Sequence, residues 1–521
     1  MKNTRKFTLV LFIAISMLLV ACTANTADES PKDSDANSNS NSEKKTDIVI
    51  AVTAEPTTLM GSMTPDFSVY SINKNIYDRL IDYDGKGNFT PKLATEWKSV
   101  DELTWEFKLR EDVKFHNGAP FNAESIKYTI DYMLDPANKS VYGSRWKTNL
   151  EELKVIDDYT VQFITKTPMA GFLSRAVTDF QFIEPGYVEE VGVEEASNKP
   201  IGTGPYKLKE WKKSEYLVFE ANEDYWNGAP EIKEAKVRFI PEFSSRLSAL
   251  LSGDVDLIAS VPVDSMERIE SDSDSKIISG LTGRPSQILL NTFKEGPLQD
   301  VKVRQALNYA IDVDMLLENV MNGQGKKQLG TLTPINLNYT EVEGYGYDPE
   351  KALELIAEAG YKPEDIKLTF NTTNGFSPMD SQVTQAIAGE LEKLGLDITI
   401  QQVEAGVFME RLGSQKIDDM AFMTFAASTD AESYLSFLFA PTGTYRWHND
   451  PELSKEIGAT FNELDPEKRQ KNFSEIQHRL HDEAVSIPLW TTNDIWGGRK
   501  DIEFKPRFDE ILEINDIKRG E

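Results

Sequence analysis

Two places in the chain set an arginine directly beside aromatic rings: Arg145-Trp146 and Tyr445-Arg446-Trp447-His448. A guanidinium grips a carboxylate through two parallel hydrogen bonds, and an adjoining ring supplies apolar contact. The pairing suits capture of a small molecule that carries a carboxylate. It also arises where a surface arginine stacks over a partly buried tryptophan, and the residues alone leave both readings open. The four histidines, His116, His448, His478 and His481, are the other chemical candidates. A bare transition-metal site draws on several histidines or cysteines. His478 and His481 are three apart and can share a helix face, but Arg479 stands where a zinc-protease HExxH motif needs glutamate.

Other catalytic signatures are missing. There is no G-x-S-x-G elbow, no zinc motif and no reactive cysteine in the body of the chain. Gly202-Thr203-Gly204-Pro205 lacks the GxxxxGK[ST] pattern of a phosphate loop, and its glycines and proline read as a turn. The expectation is a protein that binds rather than an enzyme, with no cofactor.

Charge and length narrow the class. The 521 residues carry 56 basic and 85 acidic side chains, a formal charge of -29. A nucleic-acid binder needs a basic face to replace counterions, and no basic run supplies one. The acidity favours solubility and can steer cationic ligands. At roughly 100–200 residues per domain there is room for two to four domains.

The N-terminus reads as an address. Lys2, Arg5 and Lys6 precede an apolar run of fourteen residues, 7–20, shorter than the roughly 20 that a membrane-spanning helix needs. The run ends at Leu19-Val20-Ala21-Cys22, which resembles a bacterial lipobox, and Cys22 is the only cysteine. The expectation is a signal peptide over 1–21, lipidation of Cys22 and a membrane anchor through that lipid. Residues 22–46 are rich in Ser, Asn, Asp and Lys and contain no aromatic residue, the composition of a disordered tether.

The remaining sequence supplies the elements that must position any site. Residues 47–52, 105–109 and 159–164 have strand patterns, and 121–134 reads as a helix with Asn122 at its N-cap. Near Arg284 the character changes to alternating strands and helices: a strand at 287–291, helices at 300–311, 349–360 and 379–394, strands at 367–370 and 396–400. That alternation predicts an α/β lobe with a largely parallel sheet. Residues 487–500 are strand-like again and resemble the first part of the chain. A chain that leaves one lobe, builds a second and returns makes a hinged, two-lobed body. Arg284, near the crossing, is a candidate hinge or pocket residue.

Five stretches resemble the peptide/nickel family of substrate-binding proteins of bacterial ABC importers, extracellular solute-binding family 5. They are LATEW (93–97) with TWEFKLR (104–110) and VKFHNGAPF (113–121); GTGPY (202–206) with NEDYW (222–226); VKVRQALNYAID (301–312); YDPEKA (347–352) with AGY (359–361); and LHDEAVSIP (480–488). They occur in family order and span nearly all of the chain after the tether. The resemblance implies an α/β, two-lobed periplasmic-binding-protein-like fold of the large type II class, with an extra subdomain in the first lobe. Lobe one would hold 47–285 and 487–521, and lobe two 286–486.

The same resemblance implies the function and the site. The protein would capture di- or oligopeptides between closing lobes and deliver them to a permease, acting as a tethered monomer; the alternative cargo is nickel or another metal held as an organic chelate. The ligand segment of lobe two would be 424–432, which brings in Phe425 and Asp430. Dipeptide-binding relatives place an aspartate for the peptide amine where this chain has Ala427, and many relatives have tryptophan at Phe425. Together with the arginine–aromatic pairs and the residue near the crossing, the expected ligand contacts are Arg145, Trp146, Arg284, Phe425, Asp430, Tyr445, Arg446 and Trp447, with His448 a single metal ligand for chelated cargo. A signalling-peptide receptor and a secreted hydrolase remain as further alternatives.

Overall fold

The computed structural model describes residues 45–86, 88–440 and 443–520. The signal segment, Cys22 and the tether up to residue 44 lie outside the described residues. Among the described residues one long sheet runs through the molecule. Its path is Asp397–Gln402, Lys367–Thr372, Met420–Thr424, Ser275–Leu290, Ser486–Arg499, Leu257–Ile258, Asp47–Val52, Glu234–Phe239, Tyr216–Ala221 and Tyr206–Lys212. Strands at 367–372, 397–402 and 420–424 pair in parallel, as do those at 47–52, 234–239 and 257–258. These two parallel groups, one per lobe, are joined by the antiparallel pair Ser275–Leu290 and Ser486–Arg499.

Where the sequence pattern places the lobe switch, at 285/286 and 486/487, both strands run on without interruption. The discontinuities are of register, a short one between Ser286 and Gln287 and a longer one between Leu281 and Pro285. Leu281 pairs with Asn493 and Pro285 with Thr491, so residues 282–284 face Thr492 alone. Such a bulge bends a strand while keeping it in the sheet. The Thr282 hydroxyl donates to Thr492 O at 2.8 Å and accepts from Arg284 N at 3.1 Å, which holds the bulge closed. A Cβ at Gly283 would lie 1.8 Å from Ile335 Cδ1, so a side chain there would have to displace the end of that isoleucine.

The first lobe carries a separate antiparallel sheet, Ala94–Ser99, Thr104–Leu109, Thr160–Thr165 and Leu150–Asp157. Alternation in Thr104–Leu109 buries Phe107, which meets Phe163 and Phe172 in an aromatic core. The helix Ala123–Leu134 packs on this core. Asn122 caps it in a capping box closed by the Ser125 hydroxyl. The Gly202–Pro205 turn is structural: His116 Nε2 lies 3.0 Å from Gly204 O, and Cβ atoms at Gly202 or Gly204 would run into the main chain of Asn75 and Ile76. Burial lowers the pKa of His116 to about 4, so this ring is neutral at neutral pH.

The second lobe's helices follow local signals. Asp300 caps Val301–Tyr309, and Asp348 with Pro349 at the first helical position starts Pro349–Glu358. Their apolar faces, with Val303, Ala306, Leu307, Ala352 and Ile356, join the strands at 367–372 and 420–424 in one buried cluster.

Candidate ligand-binding cleft

Open α/β sheets bind ligands outside the carboxyl ends of their parallel strands. Four such ends converge here. Val52 ends a first-lobe strand, and Ala259 and Ser260 follow another; Ala426 and the 375–379 loop follow strands of the second lobe. Between them lies a cleft of two adjoining compartments, about 590 and 450 Å³. Phe67, Ile72, Trp496 and Leu512 line the larger, and Val261, Phe376, Pro378 and Met379 the smaller. Ser260, Arg284, Asp494 and Glu510 line both, so they mark the junction.

Three charges meet at that junction from separate parts of the chain. Arg284 projects from the register break, donates through Nε to Phe425 O at 3.1 Å and pairs through Nη1 with Glu510 at 3.3 Å. It thus touches the second lobe and the C-terminal segment of the first at once. Asp494 accepts from Trp496 Nε1 at 2.6 Å. Burial pushes the Asp494 carboxyl up to about 7; the Trp496 hydrogen bond and Arg284 oppose this and Glu510 adds to it. Burial raises Glu510 too, with Arg284 pulling it down. A third carboxylate on the wall, Asp66, is engaged as the cap of helix Phe67–Asn73.

Residues 88–446 match the family described as bacterial extracellular solute-binding proteins, family 5 Middle, which is more than half of the chain. The chain belongs to this family. The nickel-binding periplasmic protein of Escherichia coli is 29% identical over 80% of this chain and 83% of its own length. The oligopeptide-binding protein AppA of Bacillus subtilis is 25% identical over 94% of each. In structure, the periplasmic binding protein DppA of Helicobacter pylori in complex with peptide STSA superposes with a TM-score of 0.72, 25% identity and coverage of 92% and 99%. The two-lobed fold is that of these solute-binding proteins.

In this solute-binding protein the other expected contact residues sit as follows. Trp146 is buried in the small-subdomain core, 4.8 Å from the Phe180 ring, and its indole N–H donates to Asp179 at 2.9 Å. Arg145, half-exposed, pairs with the same buried Asp179 at 3.3 Å. Phe425 packs between Tyr434 and Trp447, so its carbonyl rather than its ring reaches Arg284. Asp430 is buried and caps helix Ala431–Phe439 through Glu432 N at 3.1 Å. Tyr445 meets Phe437 edge-on, Arg446 lies over Phe293, and Trp447 donates to Val485 O at 2.8 Å. His448 is buried beside the Thr292 hydroxyl, and burial lowers its pKa to about 4. Of these residues, Arg284 is the one whose side chain lines the cleft described above.

Asp494, Trp496 and Glu510 were not among the expected contacts. The signal for Asp494 was an aspartate inside the otherwise apolar and neutral run from Ile487 to Gly498. Glu510 stands in a segment without regular structure, Phe504 to Glu513, and no periodicity marks it.

Proposed function

We propose that this chain is the ligand-capturing subunit of an ABC importer: it binds peptides in the cleft, closes its lobes over them and presents the closed form to a permease. The observation that carries this reading is the cleft itself, set at the carboxyl ends of strands from both lobes and beside the register break of the two strands that join them. Relatives named for peptide binding cover nearly the whole chain. The protein acts outside the cytoplasm, held to the membrane by lipid on Cys22, and performs no catalysis. Cys22→Ser is expected to move it from the membrane to the soluble fraction.

A metal chelate is the second reading, favoured by the nickel-binding relative at 29% identity. The residues lining the two compartments include no histidine or cysteine, so such cargo would be held through its organic ligand. Native mass spectrometry of protein purified from its own cells separates the two. A ladder of short peptide masses is expected; a single adduct with a nickel isotope pattern would replace the peptide reading.

A further inference from the structure

The charges at the junction do not balance. Arg284 faces two carboxylates, and its ion pair goes to Glu510. Asp494 receives a hydrogen bond from a neutral indole and lies in a cleft that offers no other cationic side chain. A carboxylate partly shielded from water with so little compensation is costly unless something brings a positive charge. Both carboxylates line both compartments, and those compartments are otherwise largely apolar. The site is therefore negative at its waist and greasy on either side.

We propose that Asp494 and Glu510 receive the cationic end of the ligand, a primary ammonium such as a peptide's α-amine, with apolar ligand groups filling the compartments on either side. This rests on the reading of the cleft as a peptide site and adds to it which residues read the amine. Ala427 cannot supply a carboxylate; its Cβ would lie 3.5 Å from a Cβ placed at Gly283. The carboxylates instead come from the long return strand and the C-terminal segment. An ammonium between Asp494 and Glu510 would bring the junction to neutrality with Arg284 still in place. A ligand without such a group would leave a partly shielded carboxylate unpaired.

The test uses the full-length protein in detergent, stripped of bound ligand by unfolding and refolding. It is offered an equimolar library of two- to six-residue alanine and leucine peptides, once with free amines and once N-acetylated. Native mass spectrometry ranks binding, and calorimetry measures the tightest peptide. Free-amine peptides are expected to bind about 10- to 100-fold more tightly than their acetylated forms, the scale of a charge-assisted hydrogen bond. Asp494→Asn and Glu510→Gln are each expected to erase most of that preference, read as the ratio of free-amine to acetylated binding on the same variant. Equal binding of the two series would overturn the proposal and leave the peptide reading intact. A preference untouched by both variants would overturn the assignment to these residues. Binding of neither series would remove the peptide reading itself.

Discussion

Two constellations in this protein have the same composition, one arginine and two carboxylates, and both lie where the lobes meet. At the junction of the cleft, Arg284 sits with Glu510 and Asp494. Some 145 residues on, about the helix Ala431–Phe439, Arg469 sits with Glu432 at 2.7 Å and Asp430 at 3.8 Å. Burial separates them. The Arg469, Glu432 and Asp430 side chains are 11%, 6% and 4% exposed, against 29% and 19% for Arg284 and Glu510. Partners separate them too. Asp430 is committed to capping a helix and Glu432 to a close ion pair, and the Gly171 backbone of the first lobe lies against both. Asp494 holds one neutral donor and faces a cavity. The same charges are structural where their partners are supplied by the fold and available to a ligand where they are not.

The sharpest way to break that comparison is to remove each arginine. Arg469→Met removes the cation that pairs directly with these two buried carboxylates and leaves Arg175 as the remaining positive charge near Glu432. Burial and the neighbouring Asp430 already push Glu432 upward, with Arg469 pulling it back. The loss is expected to be about 3–5 kcal/mol, the range for breaking a buried pair, read from urea unfolding. Arg284→Met removes a partly exposed pair and is expected to change stability by less than about 1 kcal/mol. Similar losses from both variants would erase the distinction.

The contrast also explains what could be read in advance. Asn122, Asp300, Asp348 and Pro349 act on backbone groups a few residues away, so the helices they start were visible in sequence. The lobe alternation was visible as a change in periodicity. Of the candidate site only Arg284 was, through its place near the lobe crossing; Asp494 and Glu510 lie far from it in the chain and follow no spacing. Conversely, Arg145-Trp146 and Arg446-Trp447 look like ligand grips because an arginine adjoins a ring. Tertiary packing sends each tryptophan ring into a core and ties each arginine to a structural partner: Arg145 to Asp179, which also holds the Trp146 indole, and Arg446 over Phe293.

A smaller effect is expected at the contact between the lobes. Ala170 N donates to Phe461 O at 3.1 Å, and a Cβ at Gly171 would lie 3.2–3.3 Å from carboxylate oxygens of Asp430 and Glu432. Its φ of -79° accepts any side chain, so a substitution acts through this contact and not through backbone strain. Gly171→Val is expected to hold the lobes apart, weakening peptide binding several-fold with no change in the cleft wall. Small-angle scattering with saturating peptide should then show a larger radius of gyration than wild type, and an unchanged radius would mean that the contact does not gate closure.

The last expected effect is on pH. With the Asp494 carboxyl near 7 in the free protein, lowering the pH from 8 to 6 protonates it. A neutral acid attracts an ammonium less, so affinity for a free-amine peptide should fall as pH drops through 7, by at most about tenfold per unit for one linked proton. Stability of the empty protein moves the other way. A carboxyl whose pKa is raised by folding binds more protons folded than unfolded between about 4 and 7, so its contribution to stability is present at low pH and lost as pH rises. Asp494→Asn should flatten both slopes while keeping the shape of the side chain. Calorimetry at pH 6, 7 and 8 on wild type and variant checks this, and parallel slopes in the two would place the titrating group elsewhere, with Glu510, raised by the same burial, the next to be changed.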